Sequence, residues 1–467
     1  MASILVISAE QPTPAAASSS SPDAAADAFD RHNRPRMRRD VILSALAGRY
    51  PGLTKFVVVV ASPPPPRSSS SPSSPGDALI GLYRPVHDAD MVRFLVDAWA
   101  RWTAMGPGWD ADNCHREWRP GSGTEPPLVP LHSAFRRDGI ERPSGNVMGA
   151  IGYYCTDLIT PIVGTLAREL EEDARVICSA VDRAFDLDEE DRRRAHSVVY
   201  AVTTHPGHHA SYDCFGGYCY LNNAALCARL MQRRIETGRR IVAEDDGEIV
   251  ANYWDDGEDD RVVDDDEKFV DECRFDDNKD DEEWEPIARR IELYGRPRVA
   301  IIDVDYHCGN GTASIFYRDP SVFFVSIHCD PEIDYPWNSG FADQTGAGDG
   351  EGTTMHVPLG KGAGWSDRYE ASLRDAMSAI AKFRPQALVV SLGLDTYDGD
   401  AVAVNRGGFK LSGKDYVEMG RLIGSYMAKK DVPCVFVQEG GYKMDVVGDA
   451  AADVVGGYAM AIGEEGG

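Results

Sequence analysis

Three side chains in this sequence have the types and spacing to hold one divalent metal: Asp305, His307 and Asp395. Asp305 and His307 are two apart, so in an extended chain they project to the same side. Asp395 has to converge on them from another segment. Three protein ligands leave one coordination position open, as in catalytic rather than structural zinc. With two carboxylates and no thiolate, Fe(II) and Mn(II) also suit the set. The adjacent imidazoles of His208 and His209 suit a general base for water and an acid for a leaving amine. Each needs a partner to fix its tautomer, and Asp303 and Asn310, flanking the metal ligands, are the candidates. Tyr442, following Gly440 and Gly441, offers a hydroxyl to help polarise a carbonyl and hold an oxyanion. Taken singly, these residues would read as a turn aspartate, core or structural histidines and a core tyrosine. Occurring together, they describe amide hydrolysis.

The elements that must position them are short apolar runs alternating with helical patterns. Strands are expected at Ile4–Ser8, Val198–Thr203, Arg298–Val304, Val322–Ile327, Ala387–Leu392 and Cys434–Gln438. Most are continuous apolar runs, the mark of strands buried on both faces of a parallel sheet. Helical periodicity lies between them, as at Met91–Trp102, Leu221–Arg234, Asp367–Phe383 and Asp415–Lys429. The alternation predicts an α/β fold, an open and mostly parallel multi-stranded sheet with helices on both faces. In such sheets ligands bind beyond the carboxyl ends of the strands. His205 to His209, Asp305 to Thr312, His328 with Asp330, Asp395, and Glu439 to Tyr442 all sit there.

The chain has 467 residues and a formal charge of −27. Such acidity argues against a nucleic-acid binder and against adhesion to anionic membranes. No apolar run approaches the roughly 20 residues of a membrane helix. The longest, Phe56 to Ala61, ends in prolines. The N-terminus does not read as a secretory signal, and Glu10, Asp23, Asp27 and Asp30 count against a transit peptide in the Ala/Ser-rich stretch. Ten cysteines without a CxxC pair predict free thiols in a reducing compartment, the cytoplasm or the nucleus.

One domain is expected over residues 1–467, interrupted by three insertions. These are an Ala/Ser-rich stretch at 12–30, a Pro/Ser-rich one at 62–76, and one at 237–292 that contains the acidic run Glu244–Glu285. That run holds 22 acidic and four basic residues, a net −18, which leaves −9 on the other 425. It reads as a disordered surface excursion.

The runs HPGHHASYDCFGGYCYLNNAA, AIIDVDYHCGNGTASIFY, VVSLGLDT and VQEGGY follow one another in the order found in the zinc-dependent deacetylases. That family includes histone deacetylases and acetylpolyamine amidohydrolases, and the chain resembles it from Ile4 to about Gly457. The resemblance implies the arginase/deacetylase fold. It implies Zn(II) on Asp305, His307 and Asp395, a base and acid in His208 and His209, backing by Asp303 and Asn310, and an oxyanion donor in Tyr442. Tyr218, after Gly216 and Gly217, and Tyr335 would form opposite walls of a narrow tunnel for an acylated alkyl-amine. Potassium would bind near the zinc, on the backbone of Asp303, Asp305 and His307 and on Ser326. Arg38 or Arg39 would lie near the acetate exit.

The resemblance is strongest to acetylpolyamine amidohydrolases. It rests on GGYCYLNNAA, on SIHCDPEIDYPWNSGFADQTGAGDGEGTT, and on Ile151–Tyr154 ahead of a helix expected at Thr160. A small cationic acetylated amine, or an acetyl-lysine, is the implied substrate, and a homodimer the implied assembly. A histone or other protein lysine deacetylase is the alternative, since an acidic segment suits a basic tail. A non-catalytic binding module is the remote one. Two departures stand out. Cys308 replaces the family's usual second histidine, placing a thiol beside the metal, and Thr204-His205 replaces a usual Arg-Pro, which puts the packing of that loop in question.

Overall fold

The apolar runs become strands whose two faces feed two cores. In Val198–Ala201, Val199 and Ala201 join one cluster of buried side chains, while Val198 and Tyr200 join the other. Val299 and Ile301 against Ala300 and Ile302 repeat the pattern. Period-2 projection sends alternate residues to opposite faces, so strands apolar throughout require helices on both.

The computed structural model describes residues 4–11, 33–59, 75–105, 128–129, 141–186, 198–242, 254, 294–403, 406–428 and 432–465. In chain order its elements are β1 (Ile4–Ser8), α1 (Pro35–Arg49), β2 (Thr54–Val58), α2 (Pro75–Tyr83), α3 (Ala89–Met105), α4 (Val147–Tyr154), α5 (Leu166–Asp186) and β3 (Val198–Ala201). There follow α6 (Asn223–Thr237), β4 (Val299–Asp303), α7 (Asn310–Phe316), β5 (Val322–Cys329), β6 (Thr354–Leu359) and α8 (Glu370–Phe383). The chain then runs through β7 (Ala387–Leu392), α9 (Gly413–Ala428), β8 (Cys434–Gln438) and α10 (Val447–Glu465). The eight strands form one sheet in the order β2-β1-β3-β8-β7-β4-β5-β6, and every neighbouring pair is parallel. Helices α2 to α7 contribute to the core on one face, and α1, α8, α9 and α10 to the core on the other.

The six expected strands form, with shifts of a few residues at their ends. The two further strands, β2 and β6, are the sheet's edges. β2 is half-buried along most of its length, and β6 alternates in burial and contains Pro358, which an edge strand tolerates. β6 lacks the continuous apolar run that marks a central strand, and in β2 the run that starts at Phe56 is preceded by Thr54 and Lys55.

No helix begins at Thr160. Asp157 Oδ1 accepts the backbone N–H groups of Ile159 at 2.8 Å and Thr160 at 2.9 Å, closing an Asx turn, and Pro161 follows. Ile151–Tyr154 is itself the end of α4, which Asn146 caps by accepting the Met148 N–H at 2.8 Å. The stretch 12–30 lies outside the described residues, as does 62–74 of the second insertion, whose Pro75 and Gly76 open α2. Of Glu244–Glu285 only Trp254 is described, and its indole N–H donates to the Leu82 carbonyl at 3.1 Å. Among the described residues no helix is long and apolar enough to cross a membrane, and the eight described cysteines are free thiols.

Candidate active site

The strands that end in chemistry-bearing residues, β3, β8, β7 and β4, are four consecutive neighbours in the sheet. Their carboxyl ends therefore deliver His208 and His209, Glu439 to Tyr442, Asp395, and Asp303 to His307 to one place.

Asp305, His307 and Asp395 present ligand atoms within 4.8 Å of one another, all buried. His307 Nδ1 lies 3.3 Å from Asp305 Oδ1 and 3.0 Å from Asp395 Oδ2. Donors about 2.0–2.1 Å from a tetrahedral zinc stand about 3.3 Å apart, so the spacing fits such an ion. The remaining carboxylate oxygens are held by backbone: Asp395 Oδ1 accepts the Tyr306 N–H at 2.8 Å, and Asp305 Oδ2 the Gly440 N–H at 2.9 Å. Burial, together with the charge of Asp305, pushes the Asp395 carboxyl up to about 7. Two carboxylates buried this closely favour a shared proton or a cation between them, and an N/O/O set with backbone-fixed ligands suits a divalent one.

The two histidines differ in environment. His208 Nδ1 faces Asp303 Oδ2 at 3.0 Å, whereas His209 Nδ1 faces the amide oxygen of Asn310 at 2.7 Å. Burial works against a charge on His208, but Asp305, Asp303 and Glu439 outweigh it and raise the ring to about 10. Burial drives His209 well below the ordinary imidazole value, and the neighbouring His208 and His307 drive it further. The ring centroids are 4.0 Å apart, so two cations there would repel. The surroundings thus favour an imidazolium at His208 and a neutral imidazole at His209.

His209 lies edge-on to Tyr335 at 4.8 Å, and Tyr335 stands 6.2 Å from His307. Tyr442 faces Tyr218 with centroids 6.0 Å apart. Gly217 packs against both His209 and Tyr335. A Cβ there would stand 2.4 Å from His209 Cδ2 and 3.1 Å from Tyr335 Cε1, and its φ of +59° favours glycine anyway. Tyr218 follows at φ +65°, an uncommon conformation for an aromatic residue. It is held by the Asx turn: Gly217 N–H donates to Asp157 Oδ2, and Tyr218 N–H to Thr160 Oγ1 at 3.0 Å.

All the metal-ligand, histidine, tyrosine and backing residues singled out in the sequence come together here, as does Gly217. His328 does not. Strand β5 runs on to Cys329, so His328 lies inside it, bonded to Ser326 Oγ at 2.8 Å and to the Gly340 carbonyl at 2.9 Å. The Cys308 thiol lies 3.6 Å from His356 Nδ1. The Thr204-His205 loop is firmly packed. Asp173 accepts both backbone N–H groups, at 2.6 and 3.0 Å, and His205 Nε2 meets Glu169 Oε2 at 2.8 Å.

Three supporting residues have no role assigned from the sequence, Glu439 being noted there only for its place at a strand end. Glu439, fully buried, accepts the backbone N–H groups of Gly207 and His208 and the hydroxyl of Ser391. Asp400 Oδ2 accepts the Tyr442 N–H at 2.7 Å and fixes the tyrosine's backbone. Asp157 holds the Gly217 turn. Position beside a strand-end motif was the available signal for Glu439; Asp400 and Asp157 carry none. Arg38 and Arg39 also separate. Arg39 pairs with Thr204 Oγ1 and Glu10, both at 2.9 Å. Arg38 is fully buried, its guanidinium 5.4 Å from the Tyr442 ring centroid and its Nε and Nη1 without hydrogen-bond partners among the described residues.

The family described as histone deacetylase domain matches residues 80–245 and 287–458. Acetylpolyamine amidohydrolase 1 of Pseudomonas aeruginosa is 34% identical over 373 residues, covering 80% of this chain and 81% of the relative. Acetylpolyamine amidohydrolase of Mycoplana ramosa is 34% identical over 375 residues, covering 80% and 82%. The crystal structure of an acetylpolyamine aminohydrolase from Burkholderia pseudomallei superposes with a TM-score of 0.62 at 24% identity, covering 98% of this chain and 99% of that one, a likeness of fold.

Proposed function

The chain belongs to the histone deacetylase family and is a hydrolase acting on linear amides, and from that premise we propose that it removes acetyl from a small cationic acetylated amine of the polyamine class. The supporting observation is the convergence of Asp305, His307 and Asp395 beside His209 and Tyr442 at four adjacent strand ends. The names of the two relatives matched over four-fifths of the chain favour a polyamine over a protein substrate.

Asp305, His307 and Asp395 would hold Zn(II), which when bound supplies a Lewis acid for the amide carbonyl and lowers the pKa of water. His209, neutral and oriented by Asn310, takes the proton from the attacking water and returns it to the leaving amine. His208, whose cationic form Asp305 and Asp303 favour, adds positive charge where the oxyanion develops. The Tyr442 hydroxyl donates to that oxyanion. Tyr218, Tyr335 and Gly217 line the path of the methylene chain, and the closeness of Gly217 and Tyr335 to His209 leaves little room for bulky acyl groups. Arg38, with its unpartnered donors, receives the leaving acetate. Potassium would sit on the backbone of Asp303, Asp305 and His307 with Ser326, which pairs in register with Asp303.

Exposed Leu158 and Ile159 beside Asp157, and Trp337 close after Tyr335, are apolar side chains near the entrance and support a homodimer that narrows it. The free thiols support a reducing compartment, cytoplasm or nucleus.

Zinc-loaded full-length protein should release acetate faster from acetylspermidine than from acetyl-lysine peptides. Faster release from the peptides would replace the polyamine reading with a protein one, and release from neither would end both. Asp305→Ala should abolish activity; full activity in that variant would refute the assigned ligands. Sedimentation of the same preparation should show a dimer.

A further inference from the structure

A second cluster of metal-ligating side chains begins one residue beyond His307. Cys308, His328 and His356 are buried, and their sulfur and ring nitrogens lie within 4.8 Å of one another. They come from three places: the turn after β4, strand β5 and strand β6. In the β5–β6 register Ser326 pairs with His356, and His328, two residues beyond Ser326, projects to the same face of the sheet.

The spacing suits an ion. Cys308 Sγ lies 3.6 Å from His356 Nδ1. A tetrahedral zinc with a thiolate at about 2.3 Å and an imidazole at about 2.0 Å sets sulfur and nitrogen about 3.5 Å apart. The rings of His328 and His356 are 5.4 Å apart at 77°. Gly340 closes the cluster at φ +105°. A Cβ there would stand 2.7 Å from His328 Nε2 and 2.9 Å from Cys308 Sγ, so only glycine fits against two of the three donors.

We propose that Cys308, His328 and His356 form a second metal site, for a thiophilic cation such as zinc, separate from the Asp305/His307/Asp395 centre. Its sulfur and nitrogen donors prefer a softer ion than the carboxylate-rich centre does. Binding releases the Cys308 thiol proton to solvent. His328 Nε2 exchanges the Gly340 carbonyl for the ion, and its proton then resides on Nδ1, donated to Ser326 Oγ. The fourth position is left to water or to the Gly340 carbonyl. Occupied, the site ties the turn that carries His307 to β5, β6 and the Gly340 turn, and so clamps a ligand of the catalytic centre from behind. The hydrolase reading above neither needs this site nor fails with it.

Cobalt(II) distinguishes the two centres, because only a thiolate ligand produces a sulfur-to-cobalt charge-transfer band in the near ultraviolet. Metal-free full-length protein should take up two equivalents of cobalt and show that band. Asp395→Ala should keep the band and bind one equivalent. Cys308→Ala should lose the band and keep one equivalent, His356→Asn should do the same, and Cys219→Ala should leave the band unchanged. Absence of the band in the unaltered protein at saturating cobalt overturns the proposal whether or not any variant folds. Persistence of the band in Cys308→Ala overturns it as well.

Discussion

The carboxylate of Glu439 accepts the backbone N–H of His208 at 3.1 Å. The end of β8 thereby holds the histidine pair that follows β3, with a further bond from the Gly207 N–H at 2.6 Å to the same oxygen. Burial, reinforced by Asp303 and Asp305, raises Glu439 to about 7. Glu439→Gln keeps an acceptor oxygen in place, so it should retain activity within a few-fold. Glu439→Ala leaves two buried N–H groups unpaired and should lower kcat by about 10–100-fold. Steady-state kinetics of the two variants against the native chain test this, and equal kcat in Glu439→Ala would refute it.

Gly217 is a steric requirement. A methyl group at position 217 cannot fit beside His209, and it disfavours the φ of +59° as well. Gly217→Ala should displace the imidazole or the Tyr218 turn and lower kcat/KM by about 100-fold, the usual cost of a misplaced catalytic group. Thermal unfolding near the native Tm, measured alongside, would show that the loss is local to the site.

Tyr442 is positioned by its own backbone, through Asp400, and by the buried Arg38 near its ring. Removing the hydroxyl alone leaves both arrangements intact. Tyr442→Phe should therefore reduce kcat by about 100–1,000-fold with little change in KM, as expected for a donor that acts on the developing oxyanion. A change confined to KM would make the tyrosine a binding residue instead.

Acid stability should depend on Glu169. Burial alone would raise this carboxyl, but His205 and Arg36 overcome it and hold the group at about 2, below its ordinary 4.5. A depressed folded value means that the contribution is fully present above pH 4.5 and is lost as pH falls through about 2. Glu169→Gln should cost about 2 kcal/mol at neutral pH and flatten the acid limb of the stability profile. Denaturant unfolding of both proteins at descending pH provides the comparison. Parallel curves would show that Glu169 does not anchor the His205 loop.

How much could be read in advance follows from what each feature depends on. Asp305, His307, His208, His209 and Tyr442 stood beside glycines at the ends of continuous apolar runs, and a short run apolar at every position and bounded by turn residues suits a strand covered on both faces. The edge strand β6 carried no such run, that of β2 followed Thr54 and Lys55 and ended in prolines, and Thr160 lost its expected helix by donating its backbone N–H to the Asp157 carboxylate three residues earlier. Arg38 and Arg39 are adjacent in sequence, so only the seating of α1 could send one toward Tyr442 and the other to Glu10.

The sequence by itself determined the chemistry of the site: which residues could bind a metal, move a proton or donate to an oxyanion, and that each follows a buried strand. Tertiary structure decided their assembly. The order β3-β8-β7-β4 sets side by side strands that are far apart in the chain, and no local pattern encodes that adjacency. The Cys308, His328 and His356 cluster has the same origin. Its donors lie on three segments, each ordinary in isolation, and only the packing of β5 and β6 against the turn after β4 brings them within reach of one ion.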